Sequence, residues 1–419
     1  MLLLLAMGCQ RDCDATLTPG PTLHQATLTW PHPTGDATLD LTLDGASPSR
    51  HPMTRDGDAL VVNLNGLPPL SEVDYAITPG SGRKCSGGFT TDNLPPALPE
   101  LSVTRMEVAE MSDAPLLLGT LMGASAAVFI VDRQGRFRWH QLGTDGAIVS
   151  DAHLIDGAIL HNRYDQERIT DIGVVERTSL WGEAGETVRT EWGHHVFAPL
   201  PDGGLAWPAL DIRAWSDPDS GETLDVVGDR ILTTDGEVFS IWDVAEPILD
   251  GETEQGFYDL GYDWSHANAL QAIDDGGFLL SLGHLDTVYA VTAEGAVSAT
   301  FHPDDVTAGT PWDFQHDANL TPDGTLLLVS HEPDATVARE YAIEDDGLVE
   351  VWSAAGPLSG FLGQARRLEG GNTLIGFGGK GLLREVTPDG EVVWQLEAGL
   401  GSWFGNVVLI DDVLGTAND

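Results

Sequence analysis

Short runs of alternating apolar and polar residues, broken by glycine-bearing turns, recur along almost the whole chain. Ala26-Thr27-Leu28-Thr29-Trp30, Ala37-Thr38-Leu39-Asp40-Leu41-Thr42-Leu43 and Leu60-Val61-Val62-Asn63-Leu64 each alternate with period two. That period puts every second side chain on one face of a strand. No stretch of useful length carries the 3.6-residue period of a helix. The pattern therefore predicts an all-β protein.

The strands group into two regions. Residues 14–95 read as a small β-sandwich, ending in Gly88-Phe89-Thr90-Thr91. Asn93-Leu94-Pro95-Pro96-Ala97-Leu98-Pro99 is a stiff proline linker and a natural boundary. Residues 100–419 are repetitive. Six times a strand meets an acidic or small turn with glycine and then a strand reaching an aromatic residue. The turn glycines are Gly135, Gly185, Gly236, Gly295, Gly347 and Gly390. A second hairpin series runs in phase, at Asp156-Gly157, Asp202-Gly203, Asp275-Gly276, Asp323-Gly324 and Gly370-Gly371. Two hairpins in a unit of roughly 50 residues make one four-stranded blade, so six units predict a six-bladed β-propeller. A solenoid is the rival, but a closed propeller protects its sheet edges.

Charge narrows the function. The chain holds 65 acidic and 20 basic residues among 419, a formal net charge of −45. Such a surface repels phosphate backbones, so no nucleic-acid partner is expected. An anionic substrate would need a local cluster of His or Arg. Met1 to Gly8 is an apolar run ending at Cys9, which resembles a lipobox, although it is short and lacks a basic segment. Residues 1–13 are therefore expected to be a signal and tether. Cys9 would carry lipid, and a lipid anchor would be the protein's contact with membrane. The expected location is the periplasm, outer membrane or surface of a bacterium. Cys13 and Cys85 remain as a disulfide pair or as two thiols.

The histidines carry the chemistry. His153, His194-His195, His266 and His316 stand at the start of the strand before the second hairpin in four consecutive units; Gln364 takes that place in the fifth. In a propeller these strands surround the axis, so equivalent ends converge on one rim of the channel. His161, Arg163, His284 and His331 end the next strands and would stand one layer further out. Such a set offers an anion pocket, a nucleophile and general acids. Three neutral imidazoles would also suit Zn²⁺ or Cu²⁺, but the short spacings that often mark metal sites are missing, and no metal or other cofactor is expected.

Two resemblances follow from these residues. The end of the first domain resembles a fibronectin type III domain. In the propeller, Asp263-Trp264-Ser265-His266-Ala267-Asn268 resembles the Asp-Trp-x-His-x-Asn motif of bacterial arylsulfate sulfotransferases. His194-His195 before Leu200-Pro201-Asp202-Gly203, Gln315-His316-Asp317, and Gly371-Asn372-Thr373-Leu374-Ile375 resemble further segments of that family. The resemblance spans about residues 105–410 and implies a six-bladed propeller behind an N-terminal β-sandwich. It implies sulfuryl transfer from an aromatic sulfate to a phenol, with no nucleotide donor. His316 matches the nucleophile that becomes sulfated, His195 and His266 match the sulfate-binding histidines, and Asn268 matches the supporting amide. His194, His284, Arg163 and His153 are expected to contribute to substrate binding. One departure stands out. Where the family has Leu-Ser-x-Arg, this chain has Leu280-Ser281-Leu282-Gly283-His284. The arginine is missing, and His284 or Arg163 would have to replace it. The rival expectation is a non-catalytic surface lipoprotein that binds a glycan or a protein. A homodimer is open in either case.

Overall fold

The computed structural model describes residues 14–411 except 32, 34, 82–83, 125, 144–146, 166–172, 219–220, 248–260 and 400. Cys9 and Cys13 lie outside the described residues; Cys85 is buried in the last strand of the first domain.

Two four-stranded sheets form the first domain. One runs Thr16–Pro19, Ala26–Pro31, Ala59–Leu64, Thr54–Asp56, and the other Ser49–Pro52, Ala37–Leu43, Glu72–Pro79, Cys85–Thr90. The alternation works as expected. Leu28, Leu39, Leu60, Val62, Val73 and Ile77 point inward and are almost completely buried, while their neighbours face solvent.

The second domain is a propeller of six blades around one axis. Blade two contains Ala152–Ile155, Ala158–Asp165, Val174–Ser179 and Ala184–Arg189, from the innermost strand outward. Blade three has Ala198–Pro199, Leu205–Ser216, Thr223–Thr233 and Gly236–Ser240. Blade four has Ala267–Ala272, Phe278–Leu282, Thr287–Val291 and Val297–Phe301. Blade five has Gln315–Leu320, Leu326–His331, Thr336–Glu344 and Gly347–Gly356. Blade six has Gln364–Arg367, Thr373–Phe377, Leu382–Val386 and Val392–Ala398. The middle strands of blades show little alternation. Ala127–Asp132 and Leu326–His331 are buried at every position, because both faces pack against neighbouring blades.

Ring closure explains why the second hairpin series has five members. Blade one takes Leu116–Gly123, Ala127–Asp132 and Phe137–Leu142 from the start of the propeller, but its innermost strand, Ser402–Ile410, comes from the end. Leu101–Met106 adds a fifth strand to the outside of blade six. The ring is thus fastened at both of its sequence ends. One turn differs from expectation: the blade-two hairpin turns at Gly182, with φ of 85°, and Gly185 lies inside the following strand. The Ser179–Gly182 hydrogen bond closes that turn.

The sandwich docks on blades one and two through buried and half-buried polar contacts. His24 Nδ1 bonds the Leu67 carbonyl at 2.7 Å, and its Nε2 meets His140 Nδ1 at 2.8 Å. A carbonyl only accepts, so His24 carries its proton on Nδ1 and accepts from His140. Arg138 bonds the Gly66 carbonyl, and Gln25 Nε2 bonds the Leu180 carbonyl at 2.6 Å. Burial pushes His24 down to about 3 and His140 to about 4, and Arg138 adds to the effect on His24. The folded pair is neutral, whereas unfolded histidine protonates near 6.5. Between those values the unfolded chain binds more protons, so stability falls as pH drops through 6.5 toward 4. His140→Leu is expected to reduce proton uptake on unfolding in that window by about one. The melting temperature measured against pH gives the slope; an unchanged slope would contradict the assignment.

Candidate functional site: a histidine cluster at one end of the propeller axis

The chain enters the innermost strands through sharp bends. His195, His266, Phe314, Asp317 and Leu362 all have left-handed backbones, with φ of 58°, 51°, 43°, 56° and 55°. Each such non-glycine residue costs roughly 1–2 kcal/mol. Hydrogen bonds hold the bends. The His195 carbonyl accepts from Asn162 Nδ2 at 2.9 Å and from the Ser150 hydroxyl.

The bends bring the histidines together. The ring of His195 lies 5.0 Å from that of His266, edge to face, and 6.4 Å from that of His316. His284 stacks on His266 at 4.6 Å. His331 lies 6.3 Å from His316. His284 and His331 therefore join the cluster rather than stand behind it. Phe314, which sequence reasoning missed, forms an aromatic wall 5.7 Å from His284, 5.8 Å from His331 and 6.5 Å from His266.

Hydrogen bonds fix the rings, and where the partner is a backbone carbonyl it decides the tautomer. His316 Nδ1 donates to the Gly363 carbonyl at 2.8 Å, which leaves the lone pair on Nε2. His284 Nδ1 donates to the Asp263 carbonyl at 2.7 Å, and His266 Nδ1 to the Asp263 carboxylate at 2.6 Å. His194 Nε2 bonds Asp229 at 2.8 Å, and its Nδ1 meets His195 Nδ1 at 2.7 Å. One of these two Nδ1 atoms donates to the other, so His194 and Asp229 together orient the His195 ring. Burial holds His195 well below the usual imidazole range, with the neighbouring histidines adding to it. Burial pushes His316 down to about 3, helped by His331, and His331 to about 4.

Other expected residues fall elsewhere. His153 is off this layer, closer to its hairpin turn. It bonds Asp151 and the Phe197 carbonyl, each at 3.1 Å, and lies edge-on to the Phe197 ring. Burial opposes its charge, but Asp151 prevails and raises its pKa. Arg163 is held by Glu176 at 2.7 Å and lines a crevice with His194 and Trp207 between blades two and three. His161 is buried behind it, 3.9 Å from Glu176. Asn268 donates to the Gln315 carbonyl at 2.8 Å, so it braces the strand that carries His316. Gln364 exchanges two hydrogen bonds with the Val407 backbone and ties blade six to blade one. Among the described residues, the guanidinium whose charge acts on His316 is that of Arg366, two residues beyond Gln364 on the same strand face. It grips Asp317 with both terminal nitrogens, and its charge acts on His316 and His153. The period-two rule applied to Gln364-Ala365-Arg366 was the signal that would have found it.

Comparison with known proteins adds the shape alone. The chain matches no family model and no curated protein. Among solved structures, a Bacteroides caccae protein of unknown function is similar at 15% identity, TM-score 0.44, over 70% of this chain and 98% of its own. Streptogramin B lyase is similar at 12% identity, TM-score 0.37, over 74% and 97%. The periplasmic gluconolactonase of Pseudomonas aeruginosa is similar at 12% identity, TM-score 0.40, over 70% and 98%.

Asp229 ties this site to its scaffold. It accepts from His194, from the Ser265 hydroxyl at 2.6 Å and from the Ala267 backbone at 2.7 Å, all buried. Asp229→Ala strands these donors and is expected to cost about 3–5 kcal/mol. Asp229→Asn is expected to recover only part, because its Nδ2 replaces one acceptor oxygen and faces at least the His194 donor. Urea midpoints of the three proteins check the order.

Proposed function

We propose that this chain transfers a sulfuryl group from an aromatic sulfate ester to a phenol, with His316 as nucleophile. The observation that carries the reading is the meeting of His195, His266 and His316 at one end of the axis, with the lone pair of a neutral His316 on Nε2. In the first half-reaction His316 Nε2 attacks sulfur, the bond from sulfur to the aryl oxygen breaks, and the phenolate leaves with the electron pair. In the second, the acceptor phenol oxygen attacks sulfur, loses its proton, and the nitrogen–sulfur bond returns its pair to Nε2. His195 and His266 face the sulfuryl oxygens. Half-exposed Phe361, edge-on to Trp403 at 5.1 Å and two residues before Gly363, offers a surface for the phenyl ring.

The same reading includes export with a lipid on Cys9, a Cys13–Cys85 disulfide and a fibronectin type III-like first domain. The rival reading, a surface protein that binds a glycan or a partner without chemistry, is favoured by the absent arginine.

Phenol release from an aryl sulfate, with a second phenol as acceptor, tests the proposal. His316→Ala is expected to lose roughly 10³-fold or more. Wild-type protein mixed with donor alone is expected to gain the mass of one SO₃ on the peptide bearing His316. Absence of both turnover and adduct across several donors would favour the binding protein.

A further inference from the structure

Sulfuryl transfer moves a proton as well as sulfur. The departing phenolate must gain one, and the acceptor phenol must lose one. His316 cannot carry it, because its Nδ1 proton is held by the Gly363 carbonyl and its Nε2 holds sulfur between the two half-reactions. Asp263 is buried against two other imidazoles. Its carboxylate meets His266 Nδ1 at 2.6 Å and lies 4.0 Å from His284 Nδ1, which donates to its carbonyl at 2.7 Å. Among the described residues these two rings are its only ion-pair partners. A carboxylate buried without a positive partner is costly.

From this geometry we infer that Asp263, His266 and His284 hold one proton as a unit, and that His284 Nε2 gives it to the departing phenolate and takes it back from the acceptor phenol. The step rests on the sulfuryl-transfer reading. The anchor at Nδ1 leaves Nε2 as the exchanging nitrogen of His284. Its ring is the more open of the stacked pair, with 18% of the side chain exposed against 9% for His266. Backbone bonds hold the stack: the Gly283 N–H donates to the His266 carbonyl at 2.9 Å, and the His284 N–H to the Ser265 carbonyl at 3.3 Å. A Cβ on Gly283 would stand 2.7 Å from Asn268 Nδ2, so glycine permits this close passage. Asp286, with φ of 47°, ends the bend and accepts from the Phe314 N–H at 2.6 Å, which sets the aromatic wall 5.7 Å from the His284 ring. Among the described residues, the titratable groups facing His284 are Asp263, Asp286, His266 and His195. Two are carboxylates, and His195, held neutral by burial, adds no opposing charge.

The atoms balance over one cycle. In the first half-reaction the bond from sulfur to the aryl oxygen breaks with its pair on oxygen, and that oxygen takes the proton from His284 Nε2. In the second, the acceptor oxygen bonds sulfur, its proton moves to His284 Nε2, and the nitrogen–sulfur pair returns to His316. An arginine at this place would bring charge but could not exchange a proton. An imidazole does both.

Rates for aryl sulfates with poor and good leaving phenols, measured across pH on the full-length protein, test the step. His284→Gln is expected to lower kcat/KM roughly 10²–10⁴-fold for phenyl sulfate, and less than about tenfold for para-nitrophenyl sulfate, whose phenolate leaves without a proton. His284→Arg restores charge without exchange, so it is expected to keep the nitrophenyl reaction and lose the phenyl one. Wild-type kcat/KM for phenyl sulfate is expected to fall at alkaline pH, as the unit loses its proton. That limb is expected to vanish in His284→Gln and to move to lower pH in Asp263→Asn, because removing the carboxylate loosens the proton. Melting curves establish that each variant is folded, and the glutamine and arginine variants check each other. Equal losses for the two donors, or an alkaline limb unmoved by Asp263→Asn, would overturn the inference and keep the sulfuryl transfer. Wild-type protein with neither turnover nor a sulfated His316 would remove the reaction and the proton step together.

Discussion

The structure depends on hydrogen bonds that cross from one blade to the next close to the axis. Three use a buried aspartate. Asp151 accepts from the Phe197 backbone, Asp229 from that of Ala267, and Asp317 from that of Ala365. Amides serve the other seams: Asn268 reaches the Gln315 carbonyl, Gln364 pairs with Val407, and Asn406 reaches Asp151. Blades packed only by apolar surface could slide, because the hydrophobic effect has no direction. A buried carboxylate with one set of donors cannot slide without stranding them.

The histidines exploit this fixed register. The aspartates that lock the seams also hold rings. Asp229 holds His194, which in turn orients His195. Asp263, at the entry to blade four, holds His266 and, through its carbonyl, His284. The same bonds therefore secure the ring of blades and select the tautomers. Left-handed backbones at His195 and His266 store strain that the surrounding bonds overcome, as expected where side chains must be aimed rather than merely packed.

Charge is distributed with the same economy. The chain is strongly acidic overall, yet burial holds His195, His316 and His331 in the neutral form beside the Arg366 guanidinium, which Asp317 matches. A neutral imidazole anchored by one hydrogen bond costs less to bury than a charged one and suits a nucleophile. A charged imidazole so deeply buried is helped by a carboxylate beside it, as Asp151 helps His153 and raises its pKa.

Much of the fold was legible in the chain itself. Period-two alternation and glycine at positive φ are local properties, so strands, hairpins, the six units and the boundary near residue 95 could be read directly. His195, His266 and His316 were legible too, because a repeat converts sequence register into spatial register. The limits were non-local. The innermost strand of blade one arrives from residues 402–410, and no local signal pairs it with residues 116–123. His153 kept the repeat position only loosely, and bends before the innermost strands of other blades moved their histidines to another level along the axis. Arg366 and Phe314 joined the site through strand face and backbone bend, and Asn268 turned from it to brace Gln315. The sequence determined which residues could meet. Tertiary structure decided which nitrogen each ring presents, because that depends on hydrogen-bond partners supplied by loops and neighbouring blades.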